Sequence, residues 1–449
     1  MARRAASNQS VSDITFSDDE DDGDFSGSES VFEPPDDDSN TEDDKDTSSE
    51  SSENDQNVPT FWSNPEPSFE PRLKVSSYRD SIVNDDFNRV DTSLVIFKEI
   101  FPQSLFNYIA QCTNERLQIM QKKKRTTKIK LTDEGEIKIV IGCMLIMSYN
   151  RVPSSKDYWS KNVSLRNEAI QNAISRDRFV MLISKMYFAP PEKPDGAEKT
   201  YYIGDIVECL KHRFLRARQD SPFQSIDESM TKFKGRSSLK QYMPLKPTKR
   251  GIKMWLRCDA LSGYTYDFNI YSGREEQVLK GTLGERVVNT LAETIKEKDV
   301  TLCFDRFFTS IYLLKSLKQA ALGTIMTNRK GLPIIHQKLK KGESAIKASN
   351  TGVMFVKWHD TKVVSVLSNC HTANVVEVNK KQKNGKQITI PCPEFIKFYR
   401  EILGGVDRAD QLAGLYEVDR KSTKWWKKVF YRLLMMSVVN SNIIHSQLI

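Results

Sequence analysis

The sequence predicts an α/β fold, because two regions of the chain carry two different hydrophobic periods. Across residues 90–220, apolar side chains recur three or four positions apart, which is the spacing of amphipathic helices. After residue 220 the period shortens, and residues 253–258 and 264–271 alternate as two strands around a tight turn. Strands and helices then follow in the order βββαβαβ, which is typical of a central sheet covered by helices.

The helical region contains several amphipathic segments with recognisable starts. Asp133 with Glu136 three residues later resembles a capping box ahead of the apolar run 137–147. Residues 166–188 and 203–218 are again periodic and basic. These signals predict a helical domain of about 130 residues, within the size range of a compact domain.

The second region contains a buried strand that stops abruptly. Residues 300–304 are apolar and end directly at Asp305, and a helix over 311–319 and a strand over 322–326 follow. Further along, residues 352–369 are predicted to form a β-hairpin, with its second strand over 363–367.

Composition excludes several classes of protein. Of the 449 residues 39% are hydrophobic, which suffices for a packed core, and the longest apolar run has nine residues, Ile139 to Met147. That run is too short for a membrane-spanning helix, which needs roughly 18 residues. The N-terminus carries no apolar stretch after its two arginines, so we expect no signal peptide. The seven cysteines stand singly, so we expect neither a disulfide scaffold nor a zinc site, in a soluble intracellular protein.

Charge divides the chain into two unequal parts. Residues 1–57 hold 19 acidic and 3 basic residues, whereas the remainder carries a net charge of +24. We expect the acidic segment 1–57 to be disordered and residues 58–89 to form a linker, because neither is apolar enough to build a core. An acidic tail on a basic body is typical of proteins that bind nucleic acid, although many basic proteins bind no polyanion.

A short basic cluster in the helical region leaves three interpretations open. It is read as a nuclear import signal, as a contact to DNA phosphates, or as a solvated turn between helices. Its residues are Lys122, Lys123, Lys124 and Arg125.

Acidic residues at strand ends are the strongest chemical signal. Asp227 and Asp305 each follow apolar strand residues, where a buried carboxylate is costly without a partner. Asp407 and Asp410, three residues apart, fall on one face of a helix that follows Gly404-Gly405. Carboxylates from two strands and a flanking helix would suit a two-metal site for phosphodiester chemistry. Helix caps and ordinary surface acids explain the same spacing.

Three motifs in fixed order carry a family resemblance. The segments SIDESMTKFKG, LCFDRFFTS and GGVDRADQL, followed by DRKSTKWWKK, resemble the piggyBac transposase family in order and spacing. The resemblance extends from about residue 90 to residue 446 and includes the upstream helical region. It implies an RNase H-like catalytic core in which Asp227, Asp305 and Asp407 are the catalytic and metal-binding aspartates, with Asp410 supporting the metal site.

The resemblance also implies a domain order and a set of partners. It divides the chain into a helical dimerisation and DNA-binding domain (90–220 and 415–449), a catalytic core (221–329 and 396–414) and an inserted β-rich domain (330–395). We therefore expect a homodimer that acts on double-stranded DNA in the nucleus, takes no small-molecule substrate and uses Mg²⁺ or Mn²⁺. Basic residues before the last helix are further candidates for phosphate contacts: Arg420, Lys421, Lys424, Lys427 and Lys428. Trp425 and Trp426, between them, are read as core anchors or as DNA contacts.

Two functions follow from these observations. The first, which the family resemblance implies, is DNA transposition with strand cleavage and transfer at TTAA targets; two metal ions would assist it. The second is a catalytically silent, transposase-derived protein that binds DNA or chromatin. The three aspartates favour the first. The second is favoured by the chain's lack of the Cys/His-rich zinc module common in the family. Arg306, where the family usually has Asn, is expected either to pair with Asp305 and weaken cation binding or to point away.

Overall fold

A mixed sheet with helices on both sides organises the part of the chain that the structure describes. The computed structural model describes residues 59–124, 129–244, 246–273, 280–381, 385, 387–418 and 420–449. The helices are α1 Ser93–Ile100, α2 Gln103–Lys124, α3 Glu134–Tyr149, α4 Glu168–Ala173, α5 Arg176–Lys185, α6 Gly204–Ala217, α7 Leu283–Glu293, α8 Ile311–Ser316, α9 Glu394–Ile402, α10 Gly405–Leu415 and α11 Trp425–Leu448. The strands are β1 Trp62–Ser63, β2 Phe223–Lys232, β3 Lys240–Tyr242, β4 Arg250–Asp259, β5 Thr265–Ile270, β6 Thr301–Phe304, β7 Ala320–Thr324, β8 Ser344–Ser349, β9 Met354–His359, β10 Val363–Ser368, β11 Val375–Lys381 and β12 Gln387–Pro393. The predicted α/β class is confirmed.

Ten of these strands form one sheet in the described part of the chain. Its order is β1-β8-β9-β10-β7-β6-β2-β4-β3, and β5 also pairs with β4. Strands β2, β6 and β7 are mutually parallel, whereas β4 runs antiparallel to β2. The predicted hairpin is present as β9 and β10, and it continues the main sheet through β7 instead of forming a separate one. The β11–β12 ribbon lies outside this sheet.

The helical region packs around the last helix in a core that it shares with strands β4 and β5. Helix α11 buries most of its length, including Trp425 and Trp426, and contacts α1, α6, α10 and β2. The Trp426 ring stacks on Tyr202 with 4.4 Å between ring centroids, so both tryptophans serve as packing anchors. The capping box predicted at Asp133 is half formed: its side chain accepts from Glu136 N, while the Glu136 carboxylate binds Arg178 and Thr132.

Residues 59–83 lie along the sheet and are hydrogen-bonded to it, although their composition is that of a linker. Trp62 pairs with Ser349 on the edge strand β8. Further along, the Arg72 guanidinium donates to the Leu317 carbonyl at the end of α8 (2.6 Å), and Ser76 N donates to Thr301 Oγ1 on β6. The segment is held by these hydrogen bonds and by the isolated apolar side chains Trp62 and Phe69, which follow no helical or strand period, so its sequence pattern did not reveal it.

None of the described helices is long and apolar enough to span a bilayer. Residues 1–58, and with them the predicted disordered tail, lie outside the described residues.

Candidate functional site

Strand register brings two of the predicted aspartates together. In the parallel pair β2–β6, Ile226 lies opposite Phe304, so Asp227 and Asp305 follow at equivalent positions on neighbouring strands. Strand β6 ends there, and Asp305 begins a turn in which its carboxylate accepts from Phe307 N at 2.8 Å. Two carboxylates are therefore fixed side by side at the carboxyl end of β6.

A third carboxylate, from Glu228, joins the pair. Oxygen atoms of Asp227, Glu228 and Asp305 all lie within 4.8 Å of one another. Asp227 Oδ1 is buried and accepts no hydrogen bond in the described structure. A buried oxygen with free lone pairs, beside two more carboxylates, is the donor set that a hard divalent cation prefers. The residues present thus fit a Mg²⁺ or Mn²⁺ ion.

An ammonium group balances part of this negative charge. Lys246 Nζ lies 3.2 Å from Asp227 Oδ2 and 3.4 Å from Glu228 Oε1, and it donates to the Glu228 backbone carbonyl at 3.1 Å. Its side chain is about one-fifth exposed (22%), so the charges attract in a poorly solvated setting. Lys246 is the cation with which a metal ion would compete for Asp227.

Burial and mutual repulsion shift the protonation of the cluster. Burial raises the pKa of Asp227, and the adjacent Glu228 carboxylate raises it further, against the opposing charge of Lys246. Burial also raises the pKa of Asp305, and the charge of Glu228 adds to this effect. The pKa of Lys246 is raised because the charges of Asp227 and Glu228 outweigh its burial. Like charges held together in a dry site are the expected signature of a cation-binding centre.

Helix α10 carries Asp407 to the edge of this cluster. Ser225, Asp227 and Ser229 alternate along β2 and face α10, and Val406 N donates to Ser225 Oγ at 3.2 Å. Asp407 is exposed in the first turn of α10, and its charge helps to raise the pKa of Lys246. It is not among the three residues whose carboxylate oxygens meet within 4.8 Å.

Asp410 has partners of its own. Its carboxylate accepts from Ser229 Oγ at 2.7 Å and forms a close ion pair with the Arg432 guanidinium of α11. These contacts connect α10 to β2 and α11. Asp410 therefore holds α10 in place beside the cluster.

Arg306 is exposed and forms no ion pair with Asp305 in the described structure. Its charge is the smallest of the influences on the pKa of Asp305. The expected pairing of Arg306 with Asp305 is therefore not seen among the described residues.

The basic residues predicted to lie before the last helix divide into exposed and internal groups, and Lys427 and Lys428 lie within the first turn of α11. Lys421 is exposed, Arg420 lies over the Phe179 ring and Lys424 over the Trp426 ring. Lys427 and Lys428 are buried, and their ammonium groups donate to backbone carbonyls, Lys427 to those of Ile183 and Ser184. Of the earlier cluster, Lys122 is exposed; the side chains of Lys123 and Lys124 and all of Arg125 lie outside the described residues. A DNA-binding role for these nine residues stays a prediction.

Two members of the site were missed from the sequence. Glu228 directly follows Asp227, and the two-residue period of a strand places neighbours on opposite faces, so no pattern pointed to it. Lys246 belongs to a basic run, KPTKR, 19 residues downstream, and only the return of the chain to β2 brings it to Asp227.

A family model and several known proteins resemble this chain. The model described as transposase IS4 matches residues 92–442. The human PiggyBac transposable element-derived protein 3 is 27% identical over 308 residues, which cover 65% of this chain and 52% of that protein. The human PiggyBac transposable element-derived protein 2 is 26% identical over 350 residues, covering 74% and 57%. The chain thus spans little more than half the length of these relatives.

A solved structure has the same fold. In the cryo-EM structure of a piggyBac transposase synaptic complex with hairpin DNA, one chain superimposes with a TM-score of 0.70. The match covers 82% of this chain and 78% of that one at 24% sequence identity.

Proposed function

Because this chain belongs to the piggyBac transposase family, we propose that it is a metal-dependent DNA strand transferase acting at TTAA targets. The observation that carries the proposal is the carboxylate cluster of Asp227, Glu228 and Asp305, together with the buried Oδ1 of Asp227, which accepts no hydrogen bond in the described structure. A conserved fold alone would not require this costly arrangement, because buried carboxylates destabilise a protein unless a cation or a donor compensates them.

We also infer that strands β5, β4, β2, β6 and β7 form an RNase H-like core. Three antiparallel strands are followed by two parallel ones, and the carboxylates lie on the first and fourth strands in chain order, β2 and β6. Helix α10 then supplies Asp407 from the far side of the insertion. This arrangement supports the assignment made from the three sequence motifs.

In this proposal Asp227, Glu228 and Asp305 hold the divalent cations, and Asp407 completes the site from α10. When bound, the cations would activate the attacking oxygen and stabilise the leaving oxygen of the phosphodiester. Asp305 is oriented by the Phe307 amide, and Asp227 is held on a strand by β4 and β6. Asp410, paired with Arg432 and Ser229, fixes the position of α10 and therefore of Asp407.

Metal binding tests the site directly. We expect the full chain to bind Mn²⁺, and Asp227→Asn and Asp305→Asn each to weaken that binding by more than the roughly 10–100-fold typical of losing an outer-shell partner. Asp195→Asn, at an exposed position, is the control. Calorimetry measures the affinities. Equal affinity in wild type and both site variants would refute the assignment.

Catalysis separates this proposal from a second candidate, a catalytically silent protein that binds DNA. The second is favoured by the ion pairs of Lys246 with Asp227 and Glu228, since an internal cation already compensates the site. Mn²⁺-dependent nicking or joining of DNA that Asp407→Asn abolishes, with DNA binding retained, supports the transferase. DNA binding with no strand chemistry in the wild type supports the silent protein.

We propose further that the chain is a homodimer located in the nucleus, as its family membership and DNA substrate suggest. Analytical ultracentrifugation of the full chain and imaging of a fluorescent fusion test these two points. A monomer at all concentrations, or exclusion from the nucleus, would contradict them.

A further inference from the structure

The turn that follows Asp305 is closed by its own hydrogen bonds. The Asp305 carboxylate accepts from Phe307 N at 2.8 Å. The Asp305 backbone carbonyl accepts from Phe308 N at 3.3 Å and from Thr309 Oγ1 at 2.8 Å. Residues 305–310, called the Asp305 turn below, therefore couple the direction of this carboxylate to the path of the backbone. A contact that fixes the turn on the protein also fixes the Asp305 oxygen atoms.

The first turn of helix α7 packs directly on the Asp305 turn. A Cβ atom on Gly284 would lie 2.6 Å from the Phe307 carbonyl oxygen and 2.8 Å from Phe308 Cα, so only glycine allows this approach. Gly284 is also buried. Because close-packed backbone segments transmit displacement, a shift of α7 at this point would move the Asp305 turn.

Glu285, the next residue of α7, bonds to both segments. Its side chain completes a capping box, in which Oε2 accepts from Thr282 N at 2.8 Å and Glu285 N donates to Thr282 Oγ1. Its other oxygen, Oε1, accepts a close hydrogen bond from the Ser310 hydroxyl at the end of the Asp305 turn. Helix capping accounts for the first of these contacts and not for the second.

The burial of Glu285 makes its bond to Ser310 costly to lose. Glu285 is only 6% exposed, and a carboxylate at that depth is destabilising unless donors compensate it. Hydrogen bonds to a charged acceptor are also stronger than those between neutral groups. Ser310 Oγ in turn accepts from Leu313 N at 3.0 Å, so the hydroxyl is held in one direction. The link from α7 to the Asp305 turn is therefore both oriented and buried.

We propose that Glu285 is a positioning residue for the metal site: through Ser310 it holds the Asp305 turn so that the Asp305 carboxylate stays within the carboxylate cluster. The inference rests on the proposed function, since it takes a divalent cation as the ligand of that cluster. Outer-shell contacts of this kind orient the residues that coordinate a metal. Glu285 lies outside the three sequence motifs, and sequence patterning assigned it no role.

The Mn²⁺ affinity of the full chain, measured by calorimetry, tests the role of this side chain. We expect Glu285→Ala to weaken Mn²⁺ binding by roughly 10–100-fold, the range typical of an outer-shell contact. Glu285→Gln should restore most of the affinity, because its amide oxygen can accept from Thr282 N while its NH₂ group donates to the Ser310 hydroxyl. Glu293→Ala, the same substitution at an exposed position of α7, is the matched control and should bind Mn²⁺ like the wild type.

A double-mutant cycle distinguishes positioning from a general loss of stability. If Glu285 acts through Asp305, Glu285→Ala should weaken Mn²⁺ binding by less than about threefold in an Asp305→Asn background, because the two changes then remove the same contribution. In an Asp227→Asn background, where Asp305 is intact, Glu285→Ala should keep its full effect. A merely structural role would weaken binding equally in both backgrounds.

A second pair of variants keeps the test decisive if Glu285→Ala does not fold. Ser310→Ala removes the donor to Glu285 and should also weaken Mn²⁺ binding, whereas Ser310→Thr, which keeps the hydroxyl, should not. If the wild type binds no Mn²⁺, the proposed function fails. If the wild type binds Mn²⁺ but Glu285→Ala and Ser310→Ala bind it as tightly as Glu293→Ala, the positioning role alone is overturned. An equal effect of Glu285→Ala in the two aspartate backgrounds would overturn it as well.

Discussion

Burial affects the two ionisable side chains Asp227 and His371 in ways that distinguish a site from a core. Asp227 keeps an unpaired oxygen and a nearby ammonium, so its burial leaves capacity for a ligand. His371 is buried against the Phe395 and Phe398 rings, with Ser368 Oγ 2.8 Å from its Nδ1. Among the described residues, the other polar contact of His371 Nδ1 is the Cys370 thiol at 3.4 Å. We therefore read His371 as a structural residue.

The stability of the fold should depend on His371 at acid pH. Burial lowers the pKa of His371 to about 4, from an ordinary value of 6.5. The unfolded chain therefore binds the extra proton first, and stability that is complete above pH 6.5 is lost as the pH falls toward 4. The full loss is on the order of 3 kcal/mol. His371→Phe should flatten this part of the profile, whereas His212→Gln, at an exposed position, should not.

Urea unfolding at a series of pH values measures the effect. An unchanged slope between pH 6.5 and 4 in the His371 variant would contradict the assignment of this histidine as the titrating group.

The sequence indicates a functional residue only where an unusual side chain stands at a position predicted to be buried. Asp227 and Asp305 could be singled out as candidates because each follows apolar strand residues, where a buried carboxylate is costly without a partner. Their assignment as a site came from the resemblance to a known family, because ordinary surface acids give the same pattern. Glu228 and Lys246 could not be predicted, because their approach to Asp227 depends on side-chain direction and on the return of a long loop. The local sequence pattern predicts neither the direction of the Glu228 side chain nor the path of the loop that carries Lys246.

Helix α10 carries Asp407, and one glycine sets the distance of this helix from the sheet. A Cβ atom on Gly405 would lie 2.5 Å from Ser225 Oγ and 2.7 Å from the Asp259 carbonyl. The first turn of α10 can therefore pack directly on β2 and β4 only because residue 405 has no side chain. Asp407 is two residues further along the same turn.

Gly405→Ala should push the start of α10 away from the sheet. We expect a loss of stability of about 1–3 kcal/mol from overpacking, together with weaker Mn²⁺ binding because Asp407 moves. Gly414→Ala, in the same helix with no atom within 4 Å of an added Cβ, should be neutral or slightly stabilising. Thermal unfolding and calorimetry of both variants test this. Equal behaviour of the two would show that the contact at Gly405 does not position α10.

Element type follows from the sequence more reliably than sheet order does. The βββαβαβ order and the 352–369 hairpin were predicted from period-two and period-3.6 patterns. The hairpin is present, and the observed order ββββαβαβ differs from the prediction by one short strand, β3. The joining of the hairpin to β7 was not predicted, because pairing between distant strands depends on tertiary packing and not on local pattern. Only the resemblance to a known family supplied the placement of α10 beside β2.

Residues 59–83 contact several distant elements of the described structure. This segment pairs with β8 through Trp62, contacts α8 through Arg72 and β6 through Ser76, and ends where the Ile82 carbonyl accepts from Gln219 N. It therefore connects the outer edge of the sheet to the junction of α6 and β2. Trp62 and Phe69 pack against the apolar clusters of the sheet, and each hydrogen bond of the segment adds about 1 kcal/mol net.

Arg72→Ala should loosen the sheet edge before the rest of the molecule. The substitution removes the donor to the partly buried Leu317 carbonyl at the end of α8, at a cost of about 1–3 kcal/mol, whereas the Leu314 carbonyl keeps its bond from Asn369 Nδ2. Arg79→Ala, which removes one surface hydrogen bond to the Asp299 carbonyl, should change stability by less than about 0.5 kcal/mol. Hydrogen exchange should show lost protection in β1, β8 and α8 while α11 keeps its own, because opening is local where contacts are few. Uniform loss of protection across α11 and the sheet would instead mean that this segment is part of a single cooperative unit with the helical core.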